Sequence, residues 1–383
     1  MRAAALMALV ALAMQACMVL SGCAASAPPA VKTGSFFVGG QWTGEGSARK
    51  MAGQMYVQSF EPAVRRHPFP IVMIHGTAQS GVNFIATPDG RPGWAQEFVG
   101  RGYSVYVVDQ VGRARSGTDP ALYGEYVGPD LRLMQILAQA PAGTFPTAAL
   151  ASQWPGRPVP GDPFFDQFAA QEVPNMKDTT RNEKLNVEAG LALLERIGPS
   201  VVLVHSQAGG FGWQLADMRP DMVKALVSVE PNGPPFRDLD FVRAADTPGA
   251  KPGWYRYKPE STRPWGLTRT PLDFRPVPSH PPEARLQDQP DGPDELRCWL
   301  QAEPALQLPQ LARVPIGLVT AEASFRTAPD HCTALFLRQA GVPVEHIRLA
   351  DLGVHGNGHM MMLEKNSTQV GAVIQQWLAV KGL

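Results

Sequence analysis

One stretch, Val201-Val202-Leu203-Val204-His205-Ser206-Gln207-Ala208-Gly209-Gly210, constrains this chain more than any other. Its apolar, β-branched run reads as a buried strand. The run stops at Ser206 and gives way at once to small residues and a helical pattern. A serine at such a strand-to-helix turn has its Oγ held out at the carboxyl edge of a sheet. The usual pattern for this turn is Gly-x-Ser-x-Gly. Here Val204 stands at the first glycine position and Ala208 at the second. Ala208 is small enough for a tight turn, whereas Val204 is bulkier than the pattern normally carries. A serine after a strand is also a good helix N-cap, so a chemical role needs support from the rest of the chain.

That support begins with the order of elements. Ser35 to Val38 and Met55 to Gln58 read as strands around a glycine turn at Gly39-Gly40. The run from Pro70 to Gly76 is too apolar to alternate, as in strands covered on both faces of a parallel sheet. A helix is expected over 93–100, a strand over 103–109, a helix over 182–197 leading into the Ser206 strand, and strands over 222–230, 314–320 and 345–349. A closing helix covers 371–380. Strands alternating with helices predict an α/β fold with a doubly wound, mostly parallel sheet. Two long stretches break the rhythm, about 118–178 and 231–309. Connections of that length are usually lids or binding loops. Trp154, Trp254, Tyr255, Tyr257, Trp265 and Phe274 are costly to leave exposed. Both stretches are therefore read as insertions forming a cap over the carboxyl edge of the sheet.

Serine is a poor nucleophile until a base takes its proton and an acid orients that base. Two histidines follow the last strand in Val354-His355-Gly356-Asn357-Gly358-His359. For the acid, the order Ser…Asp/Glu…His admits Glu230, at the end of the strand after Ser206, and Glu322, just past the next strand. Asp330 is a weaker third choice. His75-Gly76-Thr77 follows an early strand, where a backbone N–H can face a developing oxyanion.

In their order and at their strand ends, these motifs resemble the α/β-hydrolase superfamily. The likeness spans about Phe36 to Leu383, apart from parts of the two insertions. The resemblance implies His359, last before a helix-forming run, as base in preference to His355. It implies backbone donors from Gln207, after the nucleophile, and Thr77, in the early loop. Asp109 with Gly112-Arg113-Ala114-Arg115-Ser116-Gly117 resembles a turn that is structural in the superfamily, and His75 is read as bridging loops. A closer likeness, to a small subgroup of bacterial exported esterases with a glutamate at the earlier strand end, lies in Phe36-Phe37-Val38-Gly39-Gly40, Thr87-Pro88-Asp89-Gly90-Arg91-Pro92-Gly93-Trp94 and the His-Ser-Gln-Ala-Gly-Gly elbow. It favours Glu230 over Glu322. The reading is an exported serine carboxylesterase using Ser206, Glu230 and His359 on a small-molecule ester. Another serine hydrolase activity (lactonase, amidase or peptidase) and a non-catalytic envelope binding lipoprotein are the alternatives.

Lys plus Arg and Asp plus Glu are both 34, and no basic run occurs, which disfavours a nucleic-acid partner. The amino terminus reads as a targeting segment over 1–22. Arg2 precedes an apolar run to Leu20, then Leu20-Ser21-Gly22-Cys23 resembles a lipobox that would make Cys23 a lipidated mature amino terminus. Cleavage after Ala25-Ser26-Ala27 and a retained anchor are the alternatives. The expected location is the periplasm, or the outer membrane as a lipoprotein, with contact to membrane only through that anchor. Cys17 and Cys23 belong to this segment. In an exported chain the remaining Cys298 and Cys332 favour one disulfide, with two buried thiols as the alternative. No Cys/His spacing resembles a metal site, and no cofactor is expected.

Overall fold

The computed structural model describes residues 31–241, 255–292 and 295–383. The leader with Cys17 and Cys23, and Trp254 of the second insertion, lie outside the described residues. Eight strands form one sheet. They are β1 (Lys32–Thr43), β2 (Lys50–Glu61), β3 (Ile71–Ile74), β4 (Val105–Asp109), β5 (Ser200–His205), β6 (Val223–Val229), β7 (Ile316–Thr320) and β8 (Val344–Arg348). Their spatial order is β1-β2-β4-β3-β5-β6-β7-β8. Only the β1–β2 and β2–β4 pairings are antiparallel, and the rest of the sheet is parallel.

The central strands are buried because alternate residues enter two different cores. Val72, Ile74, Val202, Val204 and Leu226 face one core. Ile71, Met73, Val201, Leu203 and Val227 face the other. The first core is closed by helices α4 (Thr179–Ile197), α5 (Gly209–Met218) and α6 (Asp330–Gln339), through residues such as Leu193, Phe211 and Phe336. The second is closed by α1 (Trp94–Gly100) and α7 (Ser367–Val380), through Trp94, Phe98 and Ile374. Each such side chain contributes about 1.5–3 kcal/mol on burial. Local signals set the ends: Asp178 caps α4 by accepting the Arg181 N–H at 2.9 Å, which starts that helix earlier than its apolar pattern does.

The register positions the site. His205 pairs with Val229, and Val229 in turn with Val319. Ser206 and Glu230 are thus each one residue past the end of neighbouring strands, at the same edge. The longest helices within 118–178 are α2 (Leu131–Gln139) and α3 (Pro163–Gln171), capped by Asp130 and Asp162. The described residues of the second long stretch are mostly irregular, with two small ribbons among them (Leu239–Phe241 with Tyr255–Tyr257, and Ala284–Leu286 with Trp299–Gln301). Trp154 and Phe274 are buried, which meets the cost of aromatic exposure directly. Cys298 and Cys332 are joined in a disulfide with Cα atoms 5.2 Å apart, tying the second stretch to α6. Closing a loop of 34 residues is worth about 3–4 kcal/mol on the chain-entropy model.

Candidate active site

Ser206 sits in the left-handed region with φ +53°. A non-glycine residue there costs about 1 kcal/mol or more and persists only where its surroundings over-determine it. The surroundings do so here. The Asn232 N–H donates to the Ser206 carbonyl at 2.7 Å, and β5 fixes the preceding residue. Gly76 lies so close that a Cβ there would come within 2.8 Å of the Ser206 Cβ.

Val204 is accommodated by a glycine on the facing helix. A Cβ at Gly212 of α5 would lie 3.0 Å from both Val204 γ-carbons and 2.9 Å from Leu226 Cδ1. The room that the usual pattern provides by a glycine on the strand is provided by one on the helix.

The candidate base and acid are equally constrained. His359 Nδ1 lies 2.6 Å from Glu230 Oε2, with both side chains buried. Glu230 Oε1 accepts the Ala321 N–H at 2.9 Å, and Oε2 also accepts the Ser324 hydroxyl at 2.6 Å. Glu230 itself has φ +42°. Burial pushes its carboxyl up to about 8, against the pull of Ser324, Ala321 and the Arg326 cation. Burial, reinforced by Arg326, holds the His359 imidazole well below its ordinary value. When Nδ1 carries the imidazole proton and donates it to an ionised Glu230, the other nitrogen keeps its lone pair. That nitrogen, Nε2, is buried and has no hydrogen-bond partner. The ring is wedged between His205 and Phe325, each 4.5 Å away by ring centres, and His205 Nε2 lies 3.1 Å from the His359 carbonyl. An imidazole kept neutral and gripped at one nitrogen can act at the other as a general base.

The remaining sequence-selected residues fall into distinct places. Glu322 does not reach His359. Its Oε1 lies 3.0 Å from His355 Nδ1, and its Oε2 accepts the Gly356 N–H at 2.8 Å. His355 therefore stands at the exposed end of the same loop. Asp330 is buried behind Glu230, accepting from Thr320 Oγ1 at 2.8 Å. Burial and the Glu230 charge hold it well above its ordinary value. His75 bridges loops: its Nε2 accepts the Gln110 N–H at 3.1 Å. Asp109 binds Arg115 at 2.6 Å and the Gly81 N–H at 2.7 Å. Gln207 directly follows Ser206, and Thr77 follows Gly76, the residue packed against Ser206 in the loop after β3. The Cys23 assignment lies outside the described residues.

Several supporting residues carry no sequence signal that singles them out. Buried Glu364 accepts the Gly358 N–H at 2.8 Å and Asn357 Nδ2 at 2.6 Å, and so shapes the histidine loop. Ser324 sits on Glu230. Arg113, fully buried, reaches both the Gly76 carbonyl and Gln207. Beside the site is a cavity of about 430 Å³. Its walls include Thr77, Leu133, Ile136, Tyr255, Phe325 and Arg326.

Residues 70–264 match the model of the alpha/beta hydrolase fold family. Over 350 residues the chain is 38% identical to a protein from a fungal species (strain ATCC 74256) named "Probable secreted lipase phiG", covering 90% of this chain and 89% of that one. Among solved structures, a novel bacterial esterase superposes with a TM-score of 0.62 at 24% identity, over 94% of this chain and 98% of that one. The chain belongs to the α/β-hydrolase fold family.

Proposed function

We propose that this α/β hydrolase is an exported serine carboxylesterase. Ser206 Oγ attacks the ester carbonyl and passes its proton to His359 Nε2. The Thr77 and Gln207 N–H groups hold the tetrahedral oxyanion. The C–O bond to the alcohol breaks, and the alcohol leaves with the proton from His359. Water then gives its proton to the same nitrogen, its oxygen bonds to the acyl carbon, and the acid departs as Oγ recovers the proton. Glu230 orients His359 and balances its charge while it is protonated. The observation that carries this reading is the buried Glu230–His359 pair, with Nε2 unpartnered, beside the strained Ser206 at the end of the neighbouring strand.

The cavity at Thr77 and Phe325 fits an ester whose acyl or alcohol part is largely apolar, and the stretches 118–178 and 231–309 act as its cap. Export is supported by the leader pattern over 1–22 and by the likeness to a protein named as a probable secreted lipase. The amino terminus matures at Cys23 with a lipid anchor. The test is hydrolysis of a p-nitrophenyl ester series by the purified protein and by Ser206→Ala. Turnover that disappears in Ser206→Ala is expected, and turnover that survives in it contradicts the reading.

A further inference from the structure

Arg113 lies in the loop after β4, and its guanidinium is fully buried. Nη1 donates to the Gly76 carbonyl at 2.9 Å, and Nη2 donates to Gln207 Oε1 at 2.6 Å. The Gly76 carbonyl and the Thr77 N–H are the two ends of one planar peptide unit. A hydrogen bond from a cation to that carbonyl polarises the unit and makes its N–H a stronger donor. One side chain thus holds the peptide unit that carries the Thr77 N–H and the side chain of Gln207, in the segments that follow two different strands.

The charge of Arg113 also calls for explanation. Burying a cation is costly unless a carboxylate accompanies it. Among the described residues no carboxylate forms an ion pair with it. Asp109, the acid of the same loop, is taken by Arg115. Glu172, from the first long stretch, faces Arg113, yet both its oxygens are buried without a hydrogen-bond partner. Burial pushes the Glu172 carboxyl up to about 9, against the pull of the Arg113 cation, so at neutral pH it is mostly protonated. Burial also lowers Arg113, to about 9, which leaves it cationic at neutral pH. Tyr126 and His75 also face it, and both are neutral there. An uncompensated buried cation beside an acyl-transfer site is suited to negative charge that exists only transiently.

We propose that Arg113 is a positioning residue for the oxyanion hole: it sets the spacing of the Thr77 and Gln207 donors and strengthens the Thr77 N–H as charge builds on the carbonyl oxygen. This rests on the serine-esterase reading of Ser206. It is absent from the resting-state work of binding, so its loss falls on kcat and leaves KM alone.

The experiment compares the full-length protein with Arg113→Met and Arg113→Lys on p-nitrophenyl acetate, with kcat expressed per site titrated by a fluorophosphonate. The affinity of phenylboronic acid, which forms a tetrahedral adduct with an active serine, is measured alongside. Arg113→Met is expected to lose about 10- to 100-fold in kcat with KM within about twofold, and boronate affinity falls by a matching factor. Arg113→Lys recovers part of both, since it keeps the charge but not the forked grip. If Arg113→Met does not fold, Gln207→Leu removes one end of the grip and shows a smaller loss with the same match. A kcat loss with unchanged boronate affinity, or no loss, overturns the proposal. Full activity in Arg113→Met beside an inert Ser206→Ala overturns only this proposal, whereas an active Ser206→Ala overturns the esterase reading itself.

Discussion

The loop after β8 carries two histidines, each paired with a glutamate that follows a neighbouring strand, and the two pairs differ almost solely in their surroundings. At its inner end, His359 and Glu230 are 1% and 0% exposed and 2.6 Å apart. At its outer end, His355 and Glu322 are 61% and 24% exposed and 3.0 Å apart. The outer pair is screened by water, and such pairs contribute at most about 1 kcal/mol. Glu322 is held below its usual range: the Gly356 N–H and His355 outweigh its partial burial. The inner pair has its proton balance set by burial, extra donors on Glu230 and a nearby cation. The same two residue types therefore make a loop clasp in one place and a tuned acid–base pair in the other.

The sharpest way to break this comparison is to disable the pairs separately. His359→Asn and Glu230→Gln are each expected to lose about three to four decades in kcat. His355→Asn and Glu322→Gln are expected to stay within about threefold of the parent enzyme. Steady-state kinetics on one p-nitrophenyl ester measures all four. A large loss on the outer pair with little on the inner would reverse the assignment of acid and base.

A smaller effect concerns the serine's own support. Gly212→Ala forces a methyl against Val204 and Leu226 in a packed core, an overpacking that costs about 1–2 kcal/mol. Chemical denaturation reads that cost. Combining it with Val204→Gly, which moves the glycine back to the strand, is expected to recover most of it. Additive losses in the double variant would show that the two sites do not share one space.

The smallest effect is a displacement of the pH profile. His359 is held below its usual 6.5 by burial. A lowered pKa keeps the base unprotonated as pH falls, so the acid limb of kcat/KM is expected below pH 6.5 and unchanged in His355→Asn. A limb at or above pH 6.5 would contradict the burial argument.

These features differ in how far the sequence discloses them. The fold is legible because the strands β3, β5, β6 and β7 are predominantly apolar, as in a sheet covered on both faces. Helices α2, α3 and α6 are not, because their apolar residues are interleaved with those of irregular segments. At the site, chain order admits both Glu230 and Glu322. Their separation depends on the level at which β5 and β6 end, and register is a three-dimensional property. Val204 reads as a flaw in the motif because the compensating Gly212 lies on the next helix, outside any local pattern. Arg113 is one of two arginines in a short loop, and nothing in the composition shows that Arg115 takes Asp109 and leaves Arg113 to turn inward.

The central claim is that Ser206 is activated by His359. The direct measurement is peptide mapping of the intact protein after reaction with a fluorophosphonate probe. The account predicts a single adduct on Ser206 that is lost when His359→Asn is treated in the same way. An unlabelled Ser206, or an adduct that forms as fast in His359→Asn, would contradict it.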